Sequence, residues 1–448
     1  MVVNRTMRMT RTGRMGIVAL SGLLALLGCG PKMMPTPTVF RTGEVDPFLA
    51  LPDEFKSNEI EVFFATDRMP KSNPPGPGAS YGPRSGDVLR LGRAKVRFGS
   101  ADSDWETIRH RSLDDRHLGL TVSSVEEFGK LWTTIPQTDP EFMLAHASVF
   151  GDDQIRRPAN EFIEAINERL AKTESKQVLI YVAGFNTKFA DTTQQIAQAV
   201  HFMGRDVVGI AYSWPVHTHP FKYCADRRLG GATVRHLREL IQLLSERSDA
   251  KSINILSFSA GGPIVSDAIL QLRLMHAASD LEHLRSALKI GRVIYVAADE
   301  DLTYFRNMYL DGFDDLPQRI LVYTSRIDRG LALSRTFKYS TTRLGRPMAG
   351  LSEADLEELR ESGETAYIDV TGAIRTAGSG DIYGHSYWYG NPWVSTDLIA
   401  AVRYGLTPEQ RALEWNEEIA HWYFPKDYPT RIRAIFKELQ SPSASESR

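Results

Sequence analysis

Residues 253–262 read Ile253-Asn254-Ile255-Leu256-Ser257-Phe258-Ser259-Ala260-Gly261-Gly262. An apolar, β-branched run enters a cluster of small residues, after which Ile264, Val265, Ala268, Ile269 and Leu272 recur at helical spacing. The pattern predicts strand, tight turn and helix in direct succession. A serine at such a turn is held out from the backbone, provided that the residues two before and two after it are small enough for strand and helix to approach. Ser257 and Gly261 stand at those positions around Ser259, so the motif is S-x-S-x-G. Ser-x-Gly by itself carries little information. Ser80-Tyr81-Gly82 is another instance, in a Pro/Gly/Ser stretch that reads as a loop.

Outward from this segment, short apolar runs alternate with amphipathic stretches from residue 155 onward. The runs are Val178–Val182, Val207–Tyr212, Ile253–Leu256, Val293–Ala297, Ile320–Tyr323 and Ala366–Val370. Helical patterns fall at 158–172, 190–203, 229–248, 263–277 and 281–288, with a last pair at 407–420 and 428–440. Nearly continuous apolar strands alternating with helices predict an α/β fold, a mostly parallel sheet covered on both faces. Upstream, Glu59–Ala65 and Val88–Phe98 have strand character around a loop at Asp67–Arg84, which predicts an N-terminal β extension over 59–150. Within it, the spacing at Val125–Trp132 predicts a helix. Residues 29–58 are rich in Pro and Thr without periodicity and read as a flexible tether. The polar tail at 439–448 reads as disordered.

The chain has 448 residues, 42% hydrophobic and 24% charged, with a formal net charge of -2. That balance gives no basic face for nucleic acid, and two cysteines are too few for a disulfide framework or a thiolate zinc site. No metal or nucleotide cofactor motif occurs. Of the cysteines, Cys29 ends a distinct leader: Arg5, Arg8, Arg11 and Arg14 precede an apolar run from Ile17 to Leu27, too short for an ordinary membrane span. The leader closes on Leu26-Leu27-Gly28-Cys29, which resembles the lipobox of bacterial lipoproteins. The resemblance implies cleavage after residue 28 and acylation of Cys29, with each buried methylene contributing about 0.8 kcal/mol to membrane anchoring. Gly30, rather than Asp, follows the cysteine. By the same resemblance the expected location is the bacterial cell envelope, at the outer membrane facing the periplasm.

The turn at Ser259 has matching partners. Val178-Leu179-Ile180-Tyr181-Val182 leads into Ala183-Gly184-Phe185-Asn186-Thr187, upstream of the serine as an oxyanion loop would be. With Ala65-Thr66-Asp67-Arg68, Ser213-Trp214-Pro215, Tyr223 with Asp226, and Gly384-His385-Ser386-Tyr387, this segment resembles a bacterial α/β-hydrolase family of unknown function marked by an HGFNT motif. The likeness spans about residues 60–390 and implies a hydrolase domain over 151–438. It also implies oxyanion donors at the backbone N–H groups of Phe185 and Ala260. Family members usually carry histidine where this chain has Ala183 and Phe258.

The triad order in this fold is serine, acid, histidine. Asp328, after the run Ile320–Tyr323, stands at the usual acid position, with Asp299 and Asp301 as open alternatives that equally fit turn or helix caps. His385 follows the last apolar run and is the expected base. His217 and His219 fall on a loop, while His236 and His276 lie in helical stretches where surface or capping roles are the default. His421 also reads as helical. The expectation is therefore a serine hydrolase acting on a small-molecule ester or acyl substrate, membrane-attached through Cys29 and without a cofactor. The alternative is a catalytically silent member kept as an envelope binding or structural protein. The aromatic-rich stretch Tyr383–Trp393 reads as an aromatic loop packed on the core, with an acyl pocket as the other possibility.

Overall fold

The computed structural model describes residues 33–72, 81–115, 117–131, 152–216, 223–337, 342–346 and 364–441. Its strands are β1 (Glu59–Pro70), β2 (Tyr81–Phe98), β3 (Leu120–Leu131), β4 (Gln177–Val182), β5 (Val207–Tyr212), β6 (Ser252–Phe258), β7 (Ile290–Val296), β8 (Arg319–Thr324), β9 (Thr365–Asp369), β10 (Glu414–Asn416) and β11 (His421–Tyr423). They form one sheet in the order β10-β11-β9-β8-β7-β6-β4-β5-β1-β2-β3. From β11 to β1 every neighbouring pair is parallel; β2 and β10 run against their neighbours. All six apolar runs from 178 to 370 are strands of the parallel part.

Alternation explains why those runs look continuous. In β4, Leu179 and Tyr181 join one core while Val178, Ile180 and Val182 join the other. In β8, Leu321 and Tyr323 face the first core and Ile320 and Val322 the second. Both faces need apolar side chains because helices cover both. Helices Phe189–Phe202, Pro392–Arg403 and Tyr428–Leu439 line the first face. Helices Asp152–Ala171, Tyr223–Arg247, Gly262–Met275, Leu281–Leu288 and Leu302–Leu310 line the second.

Several expectations fail, each for a tertiary reason. Residues 33–58 are not a free tether: Met33, Met34, Val39, Phe40 and Val45 are buried in the first core. Phe40 stacks on Phe202 at 6.3 Å and meets Phe436 edge-on at 6.1 Å. The backbone N–H groups of Met34, Thr36 and Val39 donate to Gln198, Asp115 and Thr396, so side chains of distant elements replace a ladder. Val125–Leu131 is strand, set by pairing with β2 from Leu120↔Phe98 to Leu131↔Leu89. The loop expected at Asp67–Arg84 contracts, because β1 continues to Pro70 and β2 begins at Tyr81. The helix expected at 407–420 is a single 3-10 turn, Glu409–Arg411, followed by the β10–β11 hairpin. There Arg411 is drawn inward to a buried 2.7 Å ion pair with Asp397. His421 is thus a buried strand residue, its Nδ1 within hydrogen-bond reach of the Ile419 carbonyl.

Among the described residues, no helix is long and apolar enough to cross a membrane, and no group of three or more His, Cys, Asp or Glu could hold a metal ion. The leader, Cys29, His217, His219 and residues 442–448 lie outside the described residues, as does the side chain of Cys224.

The burial of the N-terminal segment has a measurable consequence. Phe40→Ala is expected to lower the unfolding free energy by about 3 kcal/mol, as large-to-small core substitutions do. Urea unfolding of a form starting at residue 30 would read this, and a change below about 0.5 kcal/mol, the surface-residue range, would restore the tether.

Candidate active site

β6 ends at Phe258, and Ser259 follows at φ 51°, a left-handed conformation that a non-glycine residue adopts only under constraint. The constraint comes from both sides of the turn. The Ser259 carbonyl accepts from the N–H groups of Asp299, at 3.0 Å, and Gly262. Gly261 is pressed against the end of β4, where a Cβ would stand 2.6 Å from the Val182 carbonyl oxygen and 2.8 Å from that of Ala183. No other residue fits there. Ser257 meets the smallness requirement and uses its hydroxyl to donate to the Ile294 carbonyl at 3.0 Å.

The two other expected partners arrive on loops at the same strand ends. Asp328 follows β8, is fully buried, and caps helix Arg329–Phe337: its Oδ1 accepts from the Leu331 N–H at 2.9 Å. Its Oδ2 lies 2.7 Å from His385 Nδ1. His385 Nε2 lies 2.9 Å from Ser259 Oγ. A carboxylate only accepts, so Nδ1 carries the ring proton and Nε2 is left to accept from the serine hydroxyl. The histidine loop is held by Asp381, whose carboxylate receives the N–H groups of Tyr383, His385 and Ser386. Gly330 provides the floor for the imidazole, since a Cβ there would lie 2.9 Å from His385 Cγ.

Burial acts most strongly on His385 and disfavours its charged form, but the charge and hydrogen bond of Asp328, with added charge from Asp381 and Asp299, outweigh it. The net effect raises His385 above the ordinary imidazole value of 6.5. The alternative acids are engaged elsewhere. Asp299 lies 3.3 Å from the buried Arg343 and accepts from the Ser334 hydroxyl at 2.9 Å. Asp301 caps helix Leu302–Leu310 by accepting from the Tyr304 N–H at 3.0 Å.

The segment carrying Phe185 leaves β4 beside the serine, as Gly184 is close enough that a Cβ on it would stand 3.0 Å from Ser259 Cβ. Ala260 is the next residue in the chain. The quoted motifs brace this loop. Trp214 Nε1 donates to the Ala183 carbonyl at 2.7 Å, Arg68 donates to the Thr187 carbonyl at 2.7 Å, and Thr66 donates to the Ser213 carbonyl. His236, expected at the surface, is buried 3.0 Å from Asp67 and ties the same motif to helix Tyr223–Arg247. Where family members carry histidines, Phe258 sets its ring 5.0 Å from that of His385, and Ala183 is buried.

Sequence reasoning assigned no part to Gly330, Asp381 or the Tyr387 hydroxyl. Tyr387 accepts from the Ala297 N–H and donates to the Tyr323 carbonyl, each at 2.8 Å, joining the histidine loop to the ends of β7 and β8. Only Asp381 had a local signal, an aspartate two residues before Tyr383-Gly384 in a turn.

A mostly parallel sheet with helices on both faces, turning sharply at Ser259, is the α/β-hydrolase fold. Residues 159–402, more than half of the chain, match the family described as alpha/beta hydrolase of unknown function (DUF900), and the protein belongs to that family. No curated protein matches the chain.

The electrostatics can be read directly. In an NMR titration the His385 ring is expected to titrate above 6.5, and in Asp328→Asn, with the main opposing influence removed, below its native value. A ring that titrates at the same pH in both proteins would show that the aspartate does not hold the charge.

Proposed function

We propose that this α/β hydrolase is a membrane-anchored serine hydrolase that cleaves carboxylic esters through an acyl-enzyme on Ser259. The observation that carries the reading is the unbroken relay from Asp328 Oδ2 to His385 at 2.7 Å and from His385 to Ser259 Oγ at 2.9 Å. Oγ attacks the ester carbonyl carbon while His385 Nε2 takes the hydroxyl proton. The same proton passes to the departing alkoxide as the acyl–oxygen bond breaks. Water then repeats the sequence on the acyl-enzyme, releasing the acid and restoring the serine. Asp328 keeps the ring in the required tautomer and stabilises its charged form. The N–H groups of Phe185 and Ala260 are assigned to the oxyanion, each donor contributing roughly 3 kcal/mol to the transition state. No step calls for a cofactor. The leader and Cys29 support lipid attachment in the cell envelope, at the outer membrane on the periplasmic side.

Pure folded protein is expected to react with a fluorophosphonate, and Ser259→Ala to lose that labelling. Unlabelled native protein would overturn the enzyme and leave the silent envelope protein as the reading. On short-chain nitrophenyl esters, Asp328→Asn is expected to lower kcat by about 10⁴-fold, as loss of the tautomer-fixing carboxylate does in serine proteases. Because the base must be neutral, kcat/KM should rise with pH along a limb centred above 6.5, in line with the raised His385 value. A limb centred below 6.5 would assign the base elsewhere.

A further inference from the structure

The point at which the chain enters the fold sets where the active site faces. Met33 is buried, its N–H donating to the Leu118 carbonyl at 3.1 Å, and Met34 donates to Gln198 at 2.6 Å. Thr36 is clamped on both sides, its N–H to Asp115 at 2.9 Å and its hydroxyl to the Ser112 carbonyl at 2.6 Å. The chain is therefore held against the body at residues 33–36, and none of this stretch is free to lengthen the link to Cys29. Only residues 30–32 separate Met33 from Cys29, and four residue steps span at most about 14 Å.

Leu118 lies at the strand-start edge of the sheet. Two residues later Leu120 opens β3 opposite Phe98, Arg97 pairs with Glu59, and Glu59 opens β1, which runs parallel to β5. Ser259, Asp328 and His385 all lie beyond strand ends, at the opposite edge. The two points differ by the length of a strand, about 20 Å, and by the five strand steps from β3 to β6, about 24 Å across the sheet. Together these place Ser259 on the order of 30 Å from the entry point, well beyond the reach of the spacer.

We propose that the anchored protein stands on its strand-start edge with the active site turned away from its own membrane, so that its substrate is an ester presented from the aqueous side. This rests on the reading of Cys29 as the lipid anchor and deepens it. Acyl lipids of the anchoring bilayer are then out of reach of Ser259. Esters that are water-soluble, or borne on a polymer in the aqueous compartment, are within reach. The short spacer acts as an orienting device, whereas a long linker would leave the enzyme free to turn over.

Two labelling sites distinguish the orientations. Ile382, 75% exposed and three residues before His385, marks the active-site edge; His117, exposed beside Leu118, marks the entry edge. Ile382→Cys and His117→Cys, each in a Cys224→Ser background of the acylated full chain, receive a donor dye. They are reconstituted into phosphatidylethanolamine/phosphatidylglycerol vesicles carrying a headgroup acceptor. Energy transfer from position 117 is expected to be several-fold stronger than from position 382. Transfer from 382 equal to or above that from 117, on protein whose mass shows an acylated Cys29, would overturn the orientation alone. A mass showing Cys29 without acyl chains would overturn the anchor reading and the proposal with it. Neither readout depends on hydrolysis, so loss of the enzyme reading would register separately.

Discussion

The site depends on one close approach, that of the turn after β6 to the end of β4. Gly261 lies against the Val182 and Ala183 carbonyls so tightly that a single added carbon would overlap them. The approach forces Ser259 to φ 51°, at a cost of about 1 kcal/mol. In return, the serine side chain leaves the sheet at the strand-end edge, and helix Gly262–Met275 starts directly behind it. The Ser259 carbonyl is not orphaned, since Asp299 and Gly262 both donate to it. Strain is thereby confined to one dihedral and compensated by hydrogen bonds from two elements.

Everything else at the site is built to meet that serine. Asp328 is immobilised by two contacts, one oxygen capping helix Arg329–Phe337 and the other meeting His385. The histidine loop has no regular ladder of its own, and Asp381 collects three of its N–H groups while Tyr387 pins it to β7 and β8. Below β8, Tyr323 donates to Asp397, which also receives the guanidinium of Arg411. A buried ion pair of this kind contributes little net stability over an apolar substitute, but leaving one partner alone is costly. It fixes how the strand leading to Asp328 sits against the C-terminal elements.

Some of this architecture was legible in the chain because its cause is local. Buried parallel strands must be apolar on both faces, so β4 to β9 announce themselves as short continuous runs, with ends displaced by at most three residues. The small residues around Ser259 are a steric requirement of the turn and can be read as such. Chain order points to His385, and strand counting favours Asp328 while leaving Asp299 and Asp301 open. The family match over 159–402 covers the same part of the chain and supports the fold reading.

Other features were decided only by what lies far away in sequence. Nothing within residues 33–58 distinguishes a tether from a packed strap; Phe40 is ordered by Phe202 and Phe436. Val125–Leu131 has apolar spacing compatible with a helix, and its pairing with β2 selects the strand. Asp299 and Asp328 both follow strands, and strand counting only favours the second; in the structure Arg343 and Ser334 engage Asp299 while Asp328 meets His385. The sequence by itself determined the α/β alternation, the turn at Ser259 and the order of the three polar residues, since these depend on periodicity, side-chain size and chain direction. Only the tertiary structure decided which carboxylate meets the imidazole and where the chain enters the fold, because those outcomes are settled by contacts between segments that no local pattern connects.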